Sequence, residues 1–120
     1  MATKLSNRQF KTGANRNSLD GKYDIEAFFS PQVLEARAAY MHKHRKLADG
    51  TMRDGDNWQK LFGDDHYDVC MKSLMRHILD MWLEHRGSKS RDGMDEAING
   101  AMFNLEAYYY KYLNENSKKN

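Results

Sequence analysis

The hydrophobic and polar positions of this 120-residue chain follow a helical period over three stretches. The first begins at Ser30 and Pro31, a favourable N-cap and first helical residue. Apolar residues then recur on one side at about 100° per residue. They are Val33, Leu34, Ala36, Tyr40, Met41 and Leu47. We expect this helix to end near Asp49 and Gly50, a pair typical of turns.

The second stretch predicts a helix from about Tyr67 to His85, ended by Gly87. One broad apolar face is expected to meet the core, with a polar face opposite. The apolar face holds Met71, Leu74, Met75, Ile78, Leu79, Met81 and Trp82. The polar face holds Ser73, Arg76, His77, Asp80 and Glu84.

The third stretch predicts a helix from about Met94 to Leu113. Its apolar face holds Ala97, Ile98, Ala101, Met102, Leu105, Tyr108, Tyr109 and Tyr112, and Asp95, Asn99 and Glu106 stand at one edge of it. Tyr110 points elsewhere, beside Phe103, and an exposed aromatic pair there suits a subunit contact. The pattern therefore suggests a homo-oligomer formed through the last helix.

The remaining segments lack a sustained period. Residues 1–29 read as an irregular basic arm, residues 49–68 as a long loop rich in Asp and Gly, and residues 114–120 as a frayed polar tail. The prediction is thus an all-α fold, a small bundle of three main helices in a single domain over residues 30–113.

Composition places the chain among soluble cytoplasmic proteins. It has no apolar run near the roughly 20 residues of a membrane span and no apolar segment typical of a secretory signal. The lone Cys70 is expected to be a buried thiol in a reducing compartment. Residues 1–22 hold five basic residues against Asp20, and the rest holds 14 basic and 16 acidic residues. The arm either meets phosphate groups or is a solvated tail, and duplex nucleic acid is a disfavoured partner.

The acidic residues of the last two helices allow two interpretations. If these helices pack antiparallel, the carboxylates of Asp80, Glu84, Asp95 and Glu106, with Asn99 among them, can converge on a hard cation, Mg²⁺ or in its place Mn²⁺. Otherwise Arg76 and Asp80 form an exposed ion pair worth about 0.3–0.5 kcal/mol. His77 lies between the two faces, as a satisfied boundary side chain or as a ligand or general base.

The long loop offers further binding groups. Trp58 can stack on a base, or it can pack against the core and hold the loop there. Asn57 can form a hydrogen bond with a base edge, or it can cap a turn. The chain has no phosphate-binding glycine loop and no serine nucleophile elbow. A nucleotide site would therefore have to lie between helices.

Five segments, in order, resemble the phage-associated dATP/dGTP diphosphohydrolase N-terminal domain family. They are GANRNSLDGKYD, SPQVLEARAAYM, DNWQK, SLMRHILDMWLEHRG and DEAINGAMFNLEAYYYKYL. The resemblance implies a helical protein of phage or prophage origin, similar in style to the MazG-type pyrophosphohydrolases. Two motifs depart from these patterns: GKYD is shorter than the family's GKPRYD, and Asn99 stands where the MazG pattern has its last acid.

By this resemblance the chain is expected to be a Mg²⁺-dependent (deoxy)nucleoside triphosphate pyrophosphohydrolase. The alternative is a non-catalytic phage accessory module that binds a nucleotide, a nucleic acid or a host protein. The implied catalytic residues are Arg76, His77 and Asp80, the implied substrate-binding residues Arg16, Lys22, Asn57 and Trp58, and the implied metal ligands Asp80, Glu84 and Asp95.

Overall fold

The computed structural model describes the backbone of residues 7–9, 15–17 and 21–119, and the side chains of residues 21–117. Helices dominate this part of the chain, which confirms the predicted all-α class. The elements are β1 (Asn7–Gln9), β2 (Asn15–Asn17), α1 (Ile25–Phe28), α2 (Pro31–Lys43), a 3₁₀ helix (Asn57–Lys60), α3 (His66–His85) and α4 (Met94–Lys119). The three predicted main helices are α2, α3 and α4.

The chain divides into two compact units, one ending at Leu34 and the other beginning at Glu35, so that the boundary falls inside α2. In the first unit, β1 and β2 pair antiparallel. The single turn of α1 begins after Asp24, whose carboxylate accepts from the Ala27 N–H at 3.1 Å. Hydrophobic periodicity cannot predict elements of three or four residues, which is why the arm reads as irregular from sequence.

The predicted start of α2 is confirmed. The helix begins at Pro31, and the Ser30 hydroxyl accepts a hydrogen bond from the Val33 N–H at 3.2 Å, as an N-cap does. It ends at Lys43, before the predicted end near Asp49, because residues 45–53 turn back as a hairpin.

The predicted second helix is confirmed as α3, His66–His85. Its end has the hydrogen bonds of a Schellman motif: Ser88 N–H donates to the Leu83 carbonyl (2.8 Å) and Gly87 N–H to the Glu84 carbonyl (3.0 Å). Gly87 has a φ of 86°, which a residue with a side chain adopts only with strain.

The last helix, α4, is longer than the pattern predicts. Residues 114–119 are helical, whereas their polar composition predicts a frayed tail, and Asn120 lies outside the described residues. The Tyr67 hydroxyl of α3 donates to Glu115 at 2.8 Å, and the Asn114 amide donates to the Tyr110 carbonyl at 2.9 Å. These contacts extend α4 past the end of its apolar period.

α3 and α4 form an antiparallel hairpin whose contact is made largely by small and polar residues. In the described part of the chain, the buried residues of α3 are His66, Cys70, Leu74 and Asp80, and those of α4 are Ala97, Gly100, Ala101, Asn104 and Ala107. The stripe of Ala and Gly lets the two helices approach closely. Cys70 is 1% exposed, which confirms the expected buried thiol, and burial raises its pKa.

The predicted core face of α3 is wrong. Of its seven apolar residues only Leu74 is buried, and the other six are at least 40% exposed. The side of α3 that meets α4 carries His66, Cys70, Leu74, His77 and Asp80 instead, and the small residues of α4 leave room for the His77 ring against Gly100. Period alone shows which face is apolar, but not which face has a partner within the same chain. No helix in the described part of the chain is both long and apolar enough to cross a bilayer.

A cleft with paired arginines as the candidate functional site

A tight hairpin over residues 45–53 forms one side of the candidate site. Leu47 N–H donates to the Thr51 carbonyl at 2.8 Å, and Gly50 N–H closes the turn onto the Leu47 carbonyl at 3.0 Å. The Asp49 carboxylate accepts from the Thr51 hydroxyl (2.6 Å) and the Thr51 N–H (3.0 Å), and these bonds lower the pKa of Asp49. Gly50, with a φ of 89°, supplies the left-handed residue that this turn requires.

The hairpin sets Arg45 and Arg53 side by side. Arg53 N–H donates to the Arg45 carbonyl at 2.8 Å, and Arg45 Nε donates back to the Arg53 carbonyl at 2.7 Å. Arg53 Nη1 also donates to the His44 carbonyl at 3.1 Å. Within residues 21–117, neither guanidinium forms a salt bridge. Because a guanidinium carries five N–H donors, each arginine keeps donors free for an anion.

Aromatic side chains form the other side of the site. Trp58, in the 3₁₀ helix, meets Tyr110 of α4 edge-on with ring centroids 5.0 Å apart. Tyr40 of α2 packs on the His44 ring at 4.3 Å. Trp58 is half-buried, so it both holds the loop on α4 and presents part of its ring to the space beside it.

Between these groups lies a cleft of about 570 Å³. Its lining includes Arg45 and Arg53, Asn57 and Trp58, and Phe103 of α4. Among the lining residues in the described part of the chain, the only carboxylate is that of Asp54, which forms a salt bridge with Lys60 Nζ at 3.7 Å. The lining therefore carries a positive charge beside an aromatic wall.

Ion pairs tie the end of α2 to α4 along this cleft. Glu96 of α4 accepts from Lys43 Nζ at 2.7 Å and lies 3.1 Å from His44 Nε2. The Lys43 hydrogen bond, with a smaller contribution from His44, holds the pKa of Glu96 below its usual value. A second pair joins Arg37 to Glu106. The described backbone of α2 makes no close approach to α4, so these side chains bridge a gap that remains open as the cleft.

The acids expected to bind a metal are not brought together. Asp80 is buried and accepts from Arg91 Nη2 at 2.7 Å, which raises the pKa of Arg91. Glu84 accepts from the Ser90 N–H (2.7 Å) and hydroxyl (2.9 Å), which lowers the pKa of Glu84. Asp95 is exposed on α4. In the described ranges, no three His, Cys, Asp or Glu side chains are placed to share a cation.

The expected catalytic residues have separate partners as well. Arg76 donates to the Ser73 hydroxyl at 2.9 Å and does not form the ion pair with Asp80 that is the alternative prediction. His77 is half-buried, and its ring lies over Gly100 of α4. In the part of the chain that is described, no hydrogen bond or salt bridge joins any two of Arg76, His77 and Asp80.

The expected substrate-binding residues divide between the two units. Asn57 and Trp58 line the cleft. Lys22 is exposed in the first unit, and Arg16 belongs to β2, with its side chain outside the described residues. The cleft arginines, Arg45 and Arg53, are missed by sequence reasoning. The signal that could have found them is the Asp-Gly pair at 49–50, which favours a hairpin as well as a helix end.

Comparison with protein-family models, with curated proteins and with solved structures gave no match. The resemblance to the phage diphosphohydrolase family therefore stays a prediction that rests on the order of the sequence segments.

Proposed function

We propose that this protein binds a nucleotide in the cleft between the 45–53 hairpin and α4. The observation that carries the proposal is the pairing of Arg45 and Arg53, both without acidic partners in the described structure, beside the half-buried indole of Trp58. Two cationic side chains next to an aromatic ring match a ligand that is anionic at one end and planar at the other. Nucleotides are such ligands.

The arginine side suits phosphate groups. A guanidinium binds phosphate through two parallel N–H bonds, and charge-assisted bonds of this kind are stronger than neutral ones. Since the hairpin holds the backbones of Arg45 and Arg53 in register, the two side chains can bind neighbouring phosphates of one chain.

The aromatic side suits a base. Stacking on an aromatic ring is worth about 1–3 kcal/mol per base. Asn57, next to Trp58 in the lining, offers an amide that can pair with a base edge. The volume of about 570 Å³ falls within the roughly 300–1,000 Å³ typical of small-molecule sites.

Hydrolysis of the nucleotide is the second candidate, supported by the order of family-like segments. None of Asp80, Glu84 and Asp95 lines the cleft, and the first two have partners within the protein. The geometry therefore supports binding better than it supports the expected pyrophosphohydrolase activity.

Titration with nucleotides tests the proposal. Trp82→Phe leaves Trp58 as the remaining tryptophan, and we expect ATP, dATP, GTP or dGTP to quench its fluorescence. Adenosine and tripolyphosphate, each carrying one half of the ligand, should bind more weakly. Arg45→Gln with Arg53→Gln should weaken binding at least tenfold, whereas Lys89→Gln, a neutralisation outside the cleft lining, should not.

Equal affinity of the double variant and the wild type would overturn the proposal. The same samples, incubated with Mg²⁺ or Mn²⁺ and assayed for monophosphate and pyrophosphate, test hydrolysis separately. Binding without these products would leave the nucleotide-binding module and remove the enzyme.

A further inference from the structure

α3 and α4 carry large apolar side chains that the single chain leaves exposed. We define the apolar face by nine side chains, each 40–58% exposed: Met71, Met75, Ile78, Leu79, Trp82, Leu105, Tyr109, Tyr112 and Leu113. The first five belong to α3 and the last four to α4.

The two helices direct these residues to the same side of the hairpin. At about 100° per residue, the apolar residues of α3 lie roughly 150° around the helix from those that meet α4. The apolar residues of α4 lie roughly 125° around their helix from those that meet α3, in the same rotational sense. Because the helices run antiparallel, equal senses of rotation turn both sets toward the same side of the hairpin, with their centres roughly 95° apart. Phe103, Tyr110 and Glu96, which meet the cleft and α2, occupy a different side of α4.

The apolar face is large for a monomer. With about 150–200 Å² for a whole large side chain, nine half-exposed ones leave roughly 700–900 Å² uncovered. The largest apolar patch on a typical monomer is about 300–600 Å², and a stable interface buries about 800 Å² on each partner. The area matches one side of a stable dimer.

The interior of the single chain is correspondingly small. In residues 21–117, the buried hydrophobic side chains are Cys70, Leu74, Ala97, Ala101 and Ala107, so Leu74 is the only large one. Burial stabilises by about 25 cal/mol per Å², and small side chains bring little area. The hairpin therefore fully buries few large apolar side chains by itself, which favours a coupling of folding and association.

We infer that the apolar face binds a second copy of this chain, forming a four-helix bundle from two α3–α4 hairpins. A two-fold axis parallel to the helices lays α3 of one protomer opposite α4 of its partner, a closed arrangement that leaves neither apolar face exposed.

The charges beside the apolar face support this arrangement. Lys72 is exposed on the outer edge of α3, and Asp95 on the outer edge of α4. Laying α3 on the partner's α4 therefore brings edges of opposite sign together. The cleft lining contains no residue of the apolar face, so both copies of the cleft stay open in the dimer.

The mass of the full chain in solution tests the inference. Sedimentation equilibrium between 1 and 100 µM should give twice the monomer mass of 14.1 kDa, with a melting temperature that rises with protein concentration. A mass of 14.1 kDa throughout this range, or open-ended larger species, would overturn it.

A matched pair of variants locates the interface. Leu79→Glu should raise the dimer dissociation constant at least tenfold, whereas Leu34→Glu, the same change at a more exposed residue of α2, should leave it unchanged. If Leu79→Glu prevents folding, Trp58→Phe, which leaves Trp82 as the remaining tryptophan, provides a second readout: Trp82 emission should shift to the red on dilution below the dissociation constant. An unshifted Trp82 spectrum across the transition, or equal effects of both Glu variants, would contradict the assignment.

Discussion

The imidazole of His77 lies against the backbone of Gly100, so closely that a Cβ atom at Gly100 would come within 2.5 Å of Cε1 and Nδ1 of the ring. Gly in a helix interior normally costs about 0.5–1 kcal/mol relative to Ala. Here Gly100→Ala should instead lower the free energy of unfolding by about 1–3 kcal/mol, because the ring must move. Urea denaturation measures the change.

A double-mutant cycle provides the control for this contact. In a His77→Ala background the space beside Gly100 is open, so Gly100→Ala should become neutral or stabilising. A stabilising Gly100→Ala in the wild-type background would show that the two helices do not approach as closely as described.

The buried imidazole of His66 joins α3 to both the preceding loop and α4. Its Nδ1 accepts from the Phe62 N–H at 3.1 Å, so its Nε2–H donates to the Ala107 carbonyl at 2.9 Å. His66→Ala should reduce the free energy of unfolding by about 2–4 kcal/mol, since two backbone groups lose their partner. His85→Ala, at the exposed end of the same helix, should change it by less than about 0.5 kcal/mol. Equal effects of the two substitutions would contradict the proposed role of His66.

The ion pairs of Glu96 predict a loss of stability in acid. Because the Lys43 hydrogen bond, followed by His44, lowers the pKa of Glu96 in the folded protein, its contribution is present above the ordinary value of 4.5 and is lost as pH falls through the lowered folded value. Thermal unfolding from pH 7 to pH 3 should show a smaller acid-side drop for Glu96→Gln than for the wild type. Glu35→Gln, an exposed acid on α2, should keep the wild-type drop.

Substitutions in the Asp80–Arg91 ion pair test whether the Asp80 carboxylate is structural or a metal ligand. Arg91→Met should destabilise the fold by about 1–2 kcal/mol, because the buried Asp80 carboxylate loses its charged partner. Asp80→Asn should leave Mg²⁺ and Mn²⁺ affinity, measured by calorimetry, as it is in the wild type. A loss of metal binding in Asp80→Asn, with Asp92→Asn as the unaffected control, would restore the metal hypothesis.

The sequence predicts features that depend on a few neighbouring residues. The Ser30 cap and the Gly87 end are of this kind, because their hydrogen bonds join residues three to five positions apart. The face of α3 that packs against α4 cannot be predicted in this way. It depends on small residues of α4, such as Ala97 and Gly100, beside which polar side chains can pack.

The candidate site divides in the same way. Asn57 and Trp58 can be predicted because the loop that carries them is long and contains few anchors. Arg45 and Arg53 cannot be recognised as neighbours from spacing on a helix, since only a chain reversal brings them together. The predicted grouping of Asp80 with Glu84 and Asp95 requires convergence, and the nearby Arg91 and Ser90 supply local partners instead.

Because Arg45 and Arg53 stand on the same turn, closed by Asp49 and Gly50, the ordering of that turn and the capture of an anion are thermodynamically linked. An anion that binds both arginines makes opening of the hairpin less favourable. Opening of the hairpin lowers the affinity for that anion by the same factor. The amide protons of Leu47 and Arg53, which bridge the two halves of the hairpin, should therefore exchange with solvent more slowly as the ligand concentration rises.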